Sequence, residues 1–334
     1  MMNKRFQWII LAGIIIFLIL YPLIFGEYTV NLFVSFAIFA LFSVSFNILL
    51  GFTGLLSFGH AMFFGIGGYG TALALTHIPG LSLFPALFIG IFSAIILALI
   101  VCPVVVRVSG TAFCMIHLAF GELMYVISLK LRGLTGGEDG IGGFPIPHFS
   151  IPGLVSINLK TSINFYYFAI IIVGVSLLII WFLTKTPFGQ IQVGIRDNAN
   201  RIDYLGFRVP HTKAVIYVIS GAFAGVAGSL YALFQNLISA DALFVGVSFA
   251  AVANTLVGGV GSFFGPIIGT AIFQLLQEVT TRFTERVEIV MGVIIVLIIM
   301  FAPMGMHGLF YILKQKWLSF YSSKFKKVNV EKIS

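Results

Sequence analysis

The chain has 334 residues, of which 59% are apolar and 9% charged, far below the roughly 25% charged share of a soluble domain. Its formal net charge of +8 sits near the two ends and in one central island, a placement that orients membrane proteins and attracts anionic lipid rather than nucleic acid. Composition therefore excludes a soluble enzyme and predicts a polytopic membrane protein.

At the N-terminus, Lys4 and Arg5 precede an apolar run over 8–24. No small-x-small cleavage signal comes before Glu27, so this run is expected to stay as the first membrane helix rather than leave as a signal peptide. Between Glu27 and Arg107 there is no Asp, Glu, Lys or Arg. At about 1.5 Å rise per residue, that length crosses a ~30 Å hydrocarbon core about three times. Apolar runs predict further spans over 29–50, 57–76, 83–106, 111–129, 164–183 and 214–235. Cys102 and Cys114 lie inside such runs with no polar cluster beside them and read as packing residues.

The Gly- and Pro-rich segment 130–162 separates two spans. Its Thr135-Gly136-Gly137-Glu138-Asp139-Gly140 run favours a turn and lacks the alternating oxygen ligands of a calcium loop. Either a solvated turn or a docking surface fits it. The island at 185–213 follows, with Lys185, Arg196, Arg201, Arg208 and Lys213 set against Asp197 and Asp203. Excess Lys and Arg in a short inter-span segment marks the inner side of the membrane, so this stretch is expected in the cytoplasm, within reach of an intracellular partner.

The region 245–279 decides the parity. As one crossing it would put the lysine-rich tail 304–334 outside, against the basic N-terminus and the basic island. Splitting it at Gly258-Gly259-Val260-Gly261-Ser262 and adding a last span over 289–303 returns the tail to the cytoplasm. The expectation is an all-α membrane fold of about ten helices, one transmembrane domain over 1–334, with both termini inside.

Glycine interrupts the apolar pattern in two places, from Asn47 through Gly51, Gly54 and Gly59 to His60, and from Gly258 to Gly269. Irregular backbone at membrane depth is tolerated only inside protein or along a polar cavity, and paired interrupted segments are a transporter feature. Close helix packing is the plainer explanation of the glycines. Asn47, Thr53, Ser57 and His60 add polar groups that packing alone does not need. Glu122 is the one carboxylate inside an expected span, where a charge costs about 2.5 to 3.5 kcal/mol and usually faces a bundle interior or a cavity. It could hydrogen-bond His117, His60 or a nearby break. With Asn254, these residues are the candidates for a substrate path, and no metal-ligand spacing connects the histidines.

No Gly-Lys dipeptide occurs, so a Walker phosphate loop is absent, as is a dinucleotide fingerprint. Nor is there a nucleophile and base in a water-accessible segment. A transporter without a motor uses an ion gradient or borrows an ATPase. Ion-coupled carriers use intramembrane ionisable relays, whereas this chain offers only Glu122. The island favours a borrowed motor, docking as a helix in a groove.

Several separated motifs now converge: 47–63; Arg107-x-x-Gly110-x-x-Phe113 running into Leu118-Ala119-Phe120-Gly121-Glu122; 134–140; Phe188-Gly189; Ile195-Arg196-Asp197-Asn198 with Gly206; 220–232; Ser248; 258–269; and Pro303-x-Gly305-x-x-Gly308. On these the chain resembles, nearly end to end, the permease subunits of branched-chain amino acid ABC importers, the LivM branch. The resemblance implies a type II importer fold in a bacterial inner membrane, a second LivH-like permease, two ATPase subunits and an extracytoplasmic binding protein. It implies no cofactor on this chain, ATP and Mg being used by the ATPases. It also implies that 196–206 forms the coupling helix, with Arg196, Asp197, Asn198, Arg201, Asp203 and Gly206 as coupling residues.

Ala112, His117, Arg201-Ile202 and Ala250 depart from the family's usual residues, and the Arg-Asp-Asn opening also looks like urea and short-amide permeases. Those, and an ion-coupled carrier using Glu122, are the alternative readings.

Overall fold

Hydrocarbon offers no partner to a free N–H or C=O, so apolar runs must close their backbone hydrogen bonds internally. A computed structural model of the chain describes residues 13, 16–147, 149–151, 155–301 and 305. Lys4 and Arg5, the start of the first expected span, the Pro303 and Gly308 positions and nearly all of the tail lie outside the described residues.

Helix α1 covers 16–24. Helix α2, Glu27–Asn47, runs on into a π-helical turn, Ile48–Phe52. It is followed by α3 (Ala61–His77), α4 (Leu83–Val105), α5 (Thr111–Lys130) and the short α6 (Arg132–Thr135). After the intervening segment come α7 (Ser162–Lys185), α8 (Pro187–Tyr204) and α9 (Val209–Gln235). A 3-10 turn, Ala240–Leu243, leads to α10 (Val245–Gly258), α11 (Gly265–Thr281) and α12 (Val287–Phe301). Among the described residues, five stretches are long and apolar enough to cross a membrane: Glu27–Phe52, Leu83–Val105, Thr111–Lys130, Ser162–Lys185 and Val209–Gln235.

Two expected boundaries move. The span expected over 57–76 becomes helical only at Ala61, because residues 54–60 are held against α5 as described below. The span expected from 214 begins at Val209; Pro210, in the first turn, needs no N–H partner there. Lys213, counted in the charged island, consequently lies buried in α9.

Helices α3, α4 and α9 pack on one another at the centre. Lipid tails are as apolar as leucine, so such packing depends on close backbone approach and interhelical hydrogen bonds. A Cβ on Gly67 of α3 would collide with the Gly225 backbone of α9, and one on Gly228 with the Phe64 carbonyl. The Ser229 hydroxyl donates to the Gly67 carbonyl across the same contact (3.1 Å). Helix α2 lies against α7, α9, α10 and α11. Phe88, Phe92 and Ile100 on α4, Leu178 and Phe182 on α7, and Val293 and Met300 on α12 stay exposed, as side chains facing lipid do.

Among the described residues, four short strands depart from the all-helical expectation, all outside the apolar spans. From the inter-span segment, β1 (Ile141–Gly142) pairs antiparallel with β4 (Leu237–Ile238), which follows α9, and β2 (Phe149–Ile151) pairs with β3 (Val155–Ile157). The turn expected over 135–140 is anchored rather than freely solvated. Buried Thr135 donates to the Leu131 carbonyl (2.9 Å), and Gly140 presses on the Ile238 carbonyl too closely for a Cβ.

Candidate functional site

The first break follows from the end of α2, where Ser43, Ser45 and Asn47 are all buried. Beyond the π-helical turn, the Thr53 hydroxyl donates to the Ile48 carbonyl (3.0 Å) and Gly54 takes a left-handed φ of +74°, a conformation natural to glycine. Residues 54–60 then pass beside α5. A Cβ on Gly59 would meet the His117 carbonyl, and one on Gly121 would come within 2.9 Å of the Gly59 Cα. Ser57 Oγ lies 2.9 Å from His117 Nδ1, and the Tyr217 hydroxyl 2.8 Å from Nε2. His117 thereby joins α5, α9 and the broken segment. His60 Nε2 is 3.1 Å from Ser45 Oγ, while Ser220 Oγ donates to the Ser45 carbonyl (2.6 Å).

The second break separates α10 from α11, whose glycines bring the two helices into backbone contact. A Cβ on Gly258 would collide with the Gly265 carbonyl and one on Gly269 with that of Asn254. Asn254 Nδ2 donates to Ser43 Oγ (3.0 Å), and the Thr270 hydroxyl is 3.2 Å from that same oxygen. The two breaks also meet directly. Asn47 Nδ2 donates to the Ser262 carbonyl (2.9 Å) and Asn47 Oδ1 faces the Gly261 N–H (3.5 Å). Close packing and interruption are thus properties of the same glycines.

The charged island is mostly α8, which changes direction at Asn198 (φ −162°, ψ 96°). The Asn198 Oδ1 accepts the Arg201 N–H (3.0 Å), the bond of an N-cap residue to the third helical position. A second short helix therefore starts there. It ends at Gly206, φ +88°, where Gly206 N–H donates to Asp203 and Phe207 N–H to Ile202, the bond pair of a Schellman stop. Arg201, Asp203, Tyr204, Leu205, Phe207 and Arg208 are exposed, Tyr204 to 91%. Arg196 and Asp197 form an ion pair at 3.1 Å, and Arg196 Nη1 also donates to the Gly51 carbonyl (2.6 Å).

Asn47 and Thr53 are thus brought to the meeting point of the two breaks, with Arg196 beside them. Asn254 is buried in α10, and Ser57 and His60 are buried in the broken segment before α3, each hydrogen-bonded within the chain. Glu122 stands apart: it is half-buried on α5 and makes no hydrogen bond or ion pair among the described residues. The suggested bond from His117 is not made, because both ring nitrogens face Ser57 and Tyr217. Sequence reasoning missed Ser43, Ser45 and Tyr217 as partners and Tyr204, Leu205 and Phe207 as the exposed apolar group. The alternation Ser43, Ser45, Asn47 in an otherwise apolar helix was the available signal for the first set. Among the described residues no cluster of His, Cys, Asp and Glu could hold a metal ion.

The family profile described as branched-chain amino acid transport system / permease component matches residues 28–302. The chain is 28% identical over 319 residues, 90% of its length and 75% of the relative's, to the high-affinity branched-chain amino acid transport system permease protein LivM of Escherichia coli (strain K12). A probable branched-chain amino acid transport permease protein LivM of Methanocaldococcus jannaschii is 25% identical over 297 residues, covering 77% and 83% of the two chains. A guanosine ABC transporter permease protein, NupQ of Bacillus subtilis (strain 168), is 29% identical over 156 residues, 45% and 47% of the two chains. No solved structure matches the chain.

Proposed function

Because the chain belongs to the branched-chain amino acid transport permease family, it is a multi-pass membrane subunit of an ABC transporter and not an enzyme, and we propose that it imports branched-chain amino acids by alternating access. In this reading it is one permease domain of about ten spans with the type II architecture, in a bacterial inner membrane. Both termini and the island lie in the cytoplasm, as their Lys and Arg excess requires. A LivH-like permease stands beside it, two ATPases below it and a binding protein outside.

The observation that carries the reading is the short helix from Asn198 to Gly206. It is capped at both ends by its own residues and projects Tyr204 (91% exposed) and Leu205 (66% exposed) between Arg201, Asp203 and Arg208. Rigid helices with an apolar tip and charged flanks suit a groove on a partner, and the flanking charges set association rate and salt dependence. Neither ion-driven carriage nor urea transport has a comparable observation in its favour.

Along the path, Glu122 is the group free to meet the ammonium of an amino acid. Asn47, Thr53, Ser57, His60 and Asn254 act on the path through the bonds that hold the breaks. The test is uptake of radiolabelled leucine, isoleucine and valine by cells lacking their own transporter and supplied with the complete complex. Tyr204→Ala with Leu205→Ala should lower ATPase co-purification tenfold or more and abolish uptake. Full ATPase capture by that double variant would remove the docking role, and uptake of urea in place of the three amino acids would overturn the substrate.

A further inference from the structure

In the importer reading Arg196 lies in the segment that meets the ATPase, and its side chain, 36% exposed, also reaches back into the chain. Nη1 donates to the Gly51 carbonyl at 2.6 Å. The stem of the same side chain lies over Gly54, where a Cβ would stand 2.9 Å from Arg196 Cγ, and Nη1 sits 3.1 Å from the place of a Cβ on Gly261. Arg196 therefore touches the first break at two points and borders the second.

Electrostatics gives that position a purpose. The helix made of α2 and its π-helical turn ends at Phe52, and α10 ends at Gly258. Each helix leaves its last carbonyls without intrahelical partners and carries a partial negative charge at that end. The two ends are adjacent, since a Cβ on Gly51 would lie 2.7 Å from the Gly261 nitrogen. Two like-signed helix ends at one junction repel unless a cation stands between them. Arg196 is that cation, and it belongs to neither helix but to the segment that leads into the ATPase-docking helix.

We infer that Arg196 is a positioning residue that fastens the coupling segment to both interrupted helices, so that displacement of α8 by the ATPase is handed directly to the two breaks. Asp197 balances the outer side of the guanidinium, and Asn47 ties the two breaks to each other beneath it. The inference rests on the importer reading.

The experiment uses the whole complex in proteoliposomes, with Arg196→Gln and Arg196→Lys compared with the unaltered chain for ATPase capture, substrate-stimulated hydrolysis and uptake. Arg196→Gln should retain ATPase capture within about twofold yet lower uptake per ATP hydrolysed about tenfold. Arg196→Lys, which keeps the cation without the planar fork, should recover part of the ratio. Loss of ATPase capture in proportion to uptake would overturn the inference in favour of a docking residue, and an unchanged ratio would overturn it in favour of a topology charge.

Should Arg196→Gln fail to assemble, spin labels at Asn200 and Phe264 of the otherwise unaltered chain decide the matter. Their separation should stay constant between nucleotide-free and ATP-bound states, and a change of several ångströms would show that the fastening does not hold. If the unaltered complex itself shows no ATP-dependent uptake, it is the importer reading that falls.

Discussion

In the sequence His117 was legible as a polar residue in an apolar run and as a candidate partner of Glu122. In the folded chain both ring nitrogens are used, by Ser57 and Tyr217, and its ring stacks on Phe113 at a centroid distance of 5.5 Å. In membranes such interhelical bonds average about 0.6 kcal/mol and reach about 1.7. Tyr217→Phe, which keeps the ring, should therefore destabilise the protein by about 1 kcal/mol. His117→Ala, which strands two hydroxyls and opens a cavity, should cost about 3 kcal/mol or more. Thermal unfolding of the detergent-solubilised complex measures both, and an unchanged midpoint for His117→Ala would show that the three residues are not a structural unit. Glu122, five residues further along α5, has no such partner among the described residues. Glu122→Gln should accordingly leave the unfolding midpoint within about 1 °C while lowering amino acid uptake, the opposite signature to His117.

At the scale of elements, the short helix proposed to dock the ATPase depends on its two ends. Six residues of helix are too short to be stable by propensity, since nucleation alone is unfavourable for isolated helices shorter than about 12 residues. Asn198 supplies the cap at one end and Gly206 the stop at the other. Asn198→Ala should cost about 1 kcal/mol through the lost cap, and Gly206→Ala about 1 to 2 kcal/mol through the left-handed backbone it cannot adopt freely. Both should lower ATPase affinity in salt titrations of the purified complex, with Tyr204 untouched. Equal affinity for all three proteins would mean that the helix is formed by the partner rather than presented to it. The stop at Gly206 could be anticipated from the sequence, because glycine after a polar helical run has few other structural uses. The kink at Asn198 could not, as an asparagine serves equally well as a surface residue, and only the φ of −162° distinguishes them.

The whole molecule is a scaffold without a motor. Its sequence contains no nucleotide-binding loop, and the described residues contain no cluster able to hold a metal. Reconstituted alone, it should move no amino acid uphill under a proton or sodium gradient. Accumulation in such vesicles that a protonophore abolishes would make it a secondary carrier and would place the energy coupling on Glu122.

Membership of the membrane class, the order of the apolar runs and both glycine interruptions were determined by the sequence itself. Hydrocarbon demands long unbroken apolar helices, and any departure from them is visible one residue at a time. The family also followed from motifs spread along the chain. Which polar residues answer one another was decided only by the tertiary structure. Asn47 and Ser262 are 215 positions apart, Arg196 and Gly51 are 145 apart, and nothing in local composition encodes such pairings. They exist because α2, α8 and the end of α10 converge. By that convergence a guanidinium that looked like a surface charge in the sequence reaches the Gly51 carbonyl, beside Gly261 of the second break.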